Sequence, residues 1–323
     1  MSARLAFFTV FGAAAAVAAM GCSSSSSSSP PVRTPFAHLW KVTAGASASQ
    51  EAVQGLEFYP AKLTIDAGDT ITWSFPTAEV HTVTFLGAGQ STPPPAMDPN
   101  NAAPAGGSTY DGSVYTSSGF VAGGKTYTLT FTKPGTYVYY CVVHTPEMVG
   151  TIVVQPAGTA YPKDQSAYDA QAQTAEAADL SAGAASVSLF PYTAGGAHIA
   201  AGIAPGLLAG PSATSTVLRF LDTTTMSDSN VDVAVGSTVT WTNLANNEPH
   251  DVVFPVAGQT PPPSLSPFSP PSGGTTYDGT TLVNSGVMPP GASFSLTFTK
   301  AGTYTYYCLF HDDDGMVATV TVH

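Results

Sequence analysis

Cysteine is scarce in this chain, with three in 323 residues, and two of the three stand in matching company. Cys141 is followed by His144 and Met148 in "CVVHTPEM", and Cys308 by His311 and Met316 in "CLFHDDDGM". A further histidine lies upstream of each group, His81 in "EVHTVTF" and His250 in "EPHDVVF". His81 shares its parity with Val83 and Phe85, and His250 with Val252 and Phe254, so on a strand each imidazole points to the apolar side. A thiolate, two imidazoles and a weak thioether form the donor set of a blue, type 1 copper site. One loop supplies three donors, and a separate strand supplies the fourth. The spacing therefore predicts two coppers per chain: one on His81, Cys141, His144 and Met148, the other on His250, Cys308, His311 and Met316. The methionines are the least specific members, because methionine also fills cores. A Cys141–Cys308 disulfide is the competing use of the thiols. Their equivalent positions, each with its own His and Met companions, argue against it. His38, His198 and His323 lack such companions and are read as incidental.

The elements that must position these residues are written twice. "DAGDTITW" (66–73) recurs as "AVGSTVTW" (234–241), and "YTLTFTKPGTYVYYC" (127–141) as "FSLTFTKAGTYTYYC" (294–308). So many motifs at one long offset mean a duplicated domain rather than a short-repeat solenoid. Within each copy the period is two: Ile71, Trp73 and Phe75 alternate with polar residues, as do Tyr127, Leu129 and Phe131, and Phe294, Leu296 and Phe298. Short alternating runs broken by Gly, Pro and Asp predict an all-β chain of antiparallel sandwiches, with Trp73 and Trp241 in the cores. "KPGT" and "KAGT" read as tight turns between the last two long strands. Residues 163–184, rich in Ala, Gln and Glu, are the one helix expected, a polar spacer between the copies.

Composition narrows the function. Only 9% of residues are charged and the net charge is −12. That balance excludes nucleic acid, whose binding needs Lys and Arg to displace counterions. Arg4 and the apolar run 5–20 form an export leader, too short for a convincing membrane span. It ends in "AAMGC" before seven serines. This resembles a bacterial lipoprotein signal: residues 1–21 are removed, Cys22 carries the lipid, and 22–35 are a flexible tether. The chain is thus expected in the bacterial envelope or periplasm, held to a membrane by its N-terminal lipid only.

Both copies resemble cupredoxins of the plastocyanin, amicyanin and pseudoazurin type. The domains are residues 36–156 and 196–323, with 157–195 the helical linker. Cys-x2-His-x4-Met in the second copy matches plastocyanin, and Cys-x2-His-x3-Met in the first lies between plastocyanin and amicyanin. The resemblance implies two tandem Greek-key β-sandwiches. It also implies a ligand-loop histidine that reaches the surface as the electron exit, here His144 and His311. Tyr140 and Tyr307, turned away from the metal by strand alternation, offer a second exit through the thiolate. The implied role is a carrier of single electrons between envelope redox proteins, such as c-type cytochromes or oxidoreductases, and not an enzyme. The rival is a multicopper oxidase or nitrite reductase. None of the seven histidines forms a His-x-His pair, and neither cysteine adjoins a histidine, so the second copper centre and its wire are missing. A copper store or carrier would use more open sites. Asp312, Asp313 and Asp314 near the second site, against Glu147 alone near the first, predict a lower potential for the second copper, since negative charge favours Cu(II).

Overall fold

The alternating runs form strands, and their apolar faces pair off into two separate cores. The computed structural model describes residues 37–48, 52–95, 98–188, 197–203, 215–222, 230–245, 248–259 and 265–323. The leader, Cys22 and the tether lie outside the described residues. Ile71, Trp73, Phe75, Leu129 and Phe131 are fully buried in the first core. Trp241, Leu296 and Phe298 occupy the matching places in the second.

In each repeat a five-stranded sheet covers one side of the core. The first runs Lys62–Asp66, Val149–Gln155, Gly135–Tyr140, Thr84–Phe85 and Thr116–Ser117. The second runs Asn230–Val233, Val317–Val322, Gly302–Tyr307, Val253–Phe254 and Val283–Asn284. The "KPGT" and "KAGT" turns do not close hairpins. They carry the chain from one sheet of the sandwich to the other, because Lys125–Phe131 pairs with Thr70–Phe75 while Gly135–Tyr140 pairs with Val149–Gln155.

The opposite sheets of the two repeats are one. Ten strands hydrogen-bond continuously, and the join is the antiparallel pairing of Val53–Tyr59 with Ser215–Asp222. Its register sets Val53 against Val217 and Gly55 against Ser215. An edge strand exposes unpaired N–H and C=O groups, and here each repeat satisfies the other's edge. Val53, Ala200, Val217 and Leu221 form a small apolar cluster at this seam.

The helix spans Gln165–Ser188, and it is not the free spacer that its polarity suggested. It packs on Leu39–Ala48, Val53–Tyr59 and Ser215–Asp222. Asp164 caps its start, accepting from Ala167 N at 2.9 Å. Tyr168 is buried edge-on to Trp40 and accepts from Thr64 N at 3.0 Å. Tyr59 donates to Asp179 at 2.7 Å from beneath the helix. No helix among the described residues is long and apolar enough to cross a membrane.

Candidate metal centres

Each cysteine sits just past the end of a strand, with its loop folded back on it. In the first repeat Cys141 N donates to Met148 O at 3.0 Å, His144 N to Cys141 O at 3.2 Å, and Met148 N to His144 O at 3.0 Å. The second loop is one residue longer. A turn takes up the extra residue, with Asp314 N on His311 O, Gly315 N on Asp312 O, and Gly315 at φ +81°. Glycine is suited to that left-handed conformation. The ends still meet as in the first repeat, Cys308 N on Met316 O at 3.1 Å and Met316 N on His311 O at 2.9 Å.

The upstream histidine comes from the facing segment. His81 bridges Val121, and His250 bridges Met288. In the first repeat the Nδ1 atoms of His81 and His144 are 3.1 Å apart, and Cys141 Sγ lies 3.8 and 3.3 Å from them. In the second, His250 and His311 stand at 3.1 Å, with Cys308 Sγ at 3.6 and 3.4 Å. Both triads are buried, and Met148 and Met316 are fully buried at the far ends of their loops. The donor atoms converge on one point in each repeat, and the thiol-plus-imidazole chemistry fits copper.

Two glycines shape the wall behind the upstream histidines. Gly45 (φ +74°) and Gly202 (φ +68°) lie at register shifts of the strands Leu39–Ala48 and Ala197–Ile203. A Cβ at either position would lie 2.2 Å from Nε2 of His81 or His250. These residues were not legible as site residues, because a glycine among alanines reads only as a weak point in a strand.

The two sites differ beside the thiol. Thr82 donates its backbone N–H to Cys141 Sγ at 3.3 Å, and its hydroxyl accepts from Val142 N at 2.9 Å. The second repeat has Asp251 in that place, accepting from Leu309 N at 2.6 Å. Burial pushes the Asp251 carboxyl up to about 7. Burial would raise the Cys141 thiol as well, but the charge of His144 and hydrogen bonds to both imidazoles outweigh it and leave it at about 5. The Cys308 thiol stays raised, through burial first and then the Asp251 charge, with His311 opposing.

The expected surface exits are corrected at His144 and His311. Both imidazoles are buried, 0% and 2% exposed, because the joined sheets bring the two ligand loops together. His144 Nε2 lies 3.3 Å from Glu79 and 3.1 Å from Glu248, and His311 Nε2 lies 3.2 Å from Glu79 and 3.7 Å from Glu248. Against the lowering effect of burial, the Glu248 charge holds His144 well above the ordinary histidine range, and the Glu79 charge does the same for His311. Glu79 and Glu248 were missed as site residues, though each stands two places before its histidine in both copies. Tyr140 and Tyr307 end their strands half-buried. Asp312 and Asp313 are exposed, whereas Asp314 is buried, its carbonyl accepting from Arg219 at 2.7 Å.

A family model described as "Copper binding proteins, plastocyanin/azurin family" matches residues 45–155 and 222–323. Plastocyanin of Scenedesmus fuscus is 36% identical over 95 residues, covering 29% of this chain and 82% of that protein. A chloroplastic plastocyanin of Silene latifolia subsp. alba is 32% identical over 130 residues, covering 40% of this chain and 72% of that one. Among solved structures, the reduced state of the amicyanin mutant P94F is 25% identical, covering 39% of this chain and 95% of that one, with a TM-score of 0.25. A purple cupredoxin from Nitrosopumilus maritimus is 23% identical, covering 39% of this chain and 99% of that one, with a TM-score of 0.24.

Proposed function

Because this chain belongs to the plastocyanin/azurin family of copper-binding proteins, we propose that it carries single electrons, with one type 1 copper in each repeat. The observation that carries this reading is the pair of buried His–Cys–His triads with nearly equal spacings. His81, Cys141, His144 and Met148 would hold one copper, and His250, Cys308, His311 and Met316 the other. Copper bound there supplies reversible exchange between Cu(II) and Cu(I).

The chain's part is to keep the donors still. The loop hydrogen bonds fix Cys141, His144 and Met148 to one another, and the sandwich fixes His81 against Gly45. Donors held this rigidly need little rearrangement when the metal changes charge, which favours fast transfer. Burial of both triads keeps water from the thiols. With His144 and His311 turned toward each other, Tyr140 and Tyr307 are the half-exposed residues next to the ligand cysteines, and they are the positions we assign to partner contact. The partners are envelope redox proteins such as small c-type cytochromes or oxidoreductases, and a lipid on Cys22 holds the exported chain to its membrane.

Stopped-flow mixing of the copper-loaded protein with a small reduced c-type cytochrome tests the reading. Rapid single-electron exchange is expected, without turnover of nitrite or of phenols under oxygen. Sustained catalysis of either substrate overturns the carrier assignment.

A further inference from the structure

The seam between the two donor sets holds a third cluster of ligand atoms. Glu79 reaches His144 Nε2 with one carboxylate oxygen and His311 Nε2 with the other, and Glu248 spans the same two atoms. We propose that Glu79, His144 and Glu248 form a third metal site, for a divalent cation suited to imidazole and carboxylate, with His311 Nε2 beside it at 3.2 Å from Glu79. Zinc(II) is the probe used below. The site is shared by the two repeats and lies between their copper sites.

The spacing is that of a metal site. His144 Nε2 lies 3.3 Å from one oxygen of Glu79 and 3.1 Å from one oxygen of Glu248. Within the first copper-site triad the donor separations run from 3.1 to 3.8 Å. A tetrahedral ion with bonds of about 2.0–2.1 Å places its ligands about 3.3–3.4 Å apart. The donor atoms of Glu79, His144 and Glu248 lie within 4.8 Å of one another.

Ion pairing draws the cluster together and Glu79 Oε1 accepts from Val80 N at 3.0 Å, but hydrogen bonding does not complete it. His144 Nε2, Glu79 Oε2 and both oxygens of Glu248 are buried without a hydrogen bond of acceptable geometry. Buried polar atoms without a well-aligned partner are costly. A cation among them would be shared by His144 Nε2 and one oxygen of each carboxylate.

A cleft of about 240 Å³ reaches the cluster, lined by Glu79, Glu248 and His311, with the exposed Asp312 and Asp313 also on its wall. That acidic entrance favours cations.

The site shares His144 with the copper reading and otherwise stands apart from it. The test starts from the full chain given two equivalents of copper, where the blue band should saturate, and then desalted. Cu(II) in excess would compete for an imidazole and carboxylate site. The sample is titrated with zinc, desalted, and its metals are counted by elemental analysis. Wild type should hold about one zinc beside two coppers, and zinc should shift the copper hyperfine pattern in its EPR spectrum. Glu79→Gln combined with Glu248→Gln should abolish zinc uptake. The visible band reports copper independently, so a blue wild-type protein that takes no zinc overturns the third site alone. Zinc uptake that survives the double substitution, or leaves the EPR spectrum unmoved, overturns it as well.

Discussion

Replacing Gly45 with alanine should disable one metal centre and spare the other. The added Cβ would lie 2.2 Å from His81 Nε2 and 3.0 Å from Cδ2 and Cε1, where ordinary contact begins at 3.4 Å. The ring must therefore withdraw by about 1 Å. Withdrawal drives its Nδ1 toward His144 Nδ1, which is already 3.1 Å away. Metal sites tolerate donor displacements of only about 0.2 Å, so the shift is several times what the first copper site can absorb. The left-handed φ adds a backbone cost of about 1–2 kcal/mol for a residue with a Cβ. Gly202→Ala should do the same at His250. The assay is copper per chain with the visible band, alongside urea unfolding. Each variant should lose one copper and roughly half the absorption, and should unfold at lower urea. A Gly45→Ala protein that keeps both coppers and an unaltered spectrum would refute the idea that this strand holds His81 in place.

Asp251→Asn tests the buried carboxyl beside Cys308. Its folded-state pKa is raised to about 7 from 3.8, so the folded chain binds the extra proton between those values. The carboxyl thus costs stability as pH rises through that window, up to a ceiling of about 4 kcal/mol. Thermal melts of the metal-free variant should show it more stable than wild type above pH 7 and equal to it below pH 4, and a uniform offset at all pH values would sink this account. Tyr59→Phe removes the hydrogen bond that Tyr59 donates to Asp179 and should cost about 1–3 kcal/mol in urea unfolding without changing the copper spectrum. Asp312→Asn with Asp313→Asn should raise the second copper's potential by tens of millivolts at most, less at high salt, because both acids are exposed. A shift that ignores salt would mean that the effect is not a screened surface charge.

What could be read from the sequence was what repeats locally. Alternation at Ile71, Trp73 and Phe75 located a buried strand face, and the twice-written Cys, His and Met pattern located residues that the fold brings together. Contacts between the repeats left no local trace. "VQGLEFY" and "STVLRFLD" stand far apart in the chain with no hairpin turn joining them, so nothing in either stretch announces that they pair. The helix buries Tyr168 in a mostly polar surface, too little apolar pattern to distinguish docking from spacing. The exposure expected of His144 and His311 belongs to a domain that stands alone, and the joined sheets remove it. Glu79 and Glu248 repeat at the same distance from their histidines, which was a visible signal. Each carboxylate, however, also faces an imidazole of the other repeat, and no single repeat reveals that.

Counting copper against colour tests the central claim most directly. The full chain is titrated with copper, desalted, and measured by elemental analysis and visible absorption, together with Cys141→Ala and Cys308→Ala. The thiolate-to-copper absorption should saturate at two coppers per chain, with each substitution removing one copper and about half of that absorption. A single copper in the wild-type chain, or a substitution that leaves the colour untouched, would contradict the assignment of a type 1 site to each repeat.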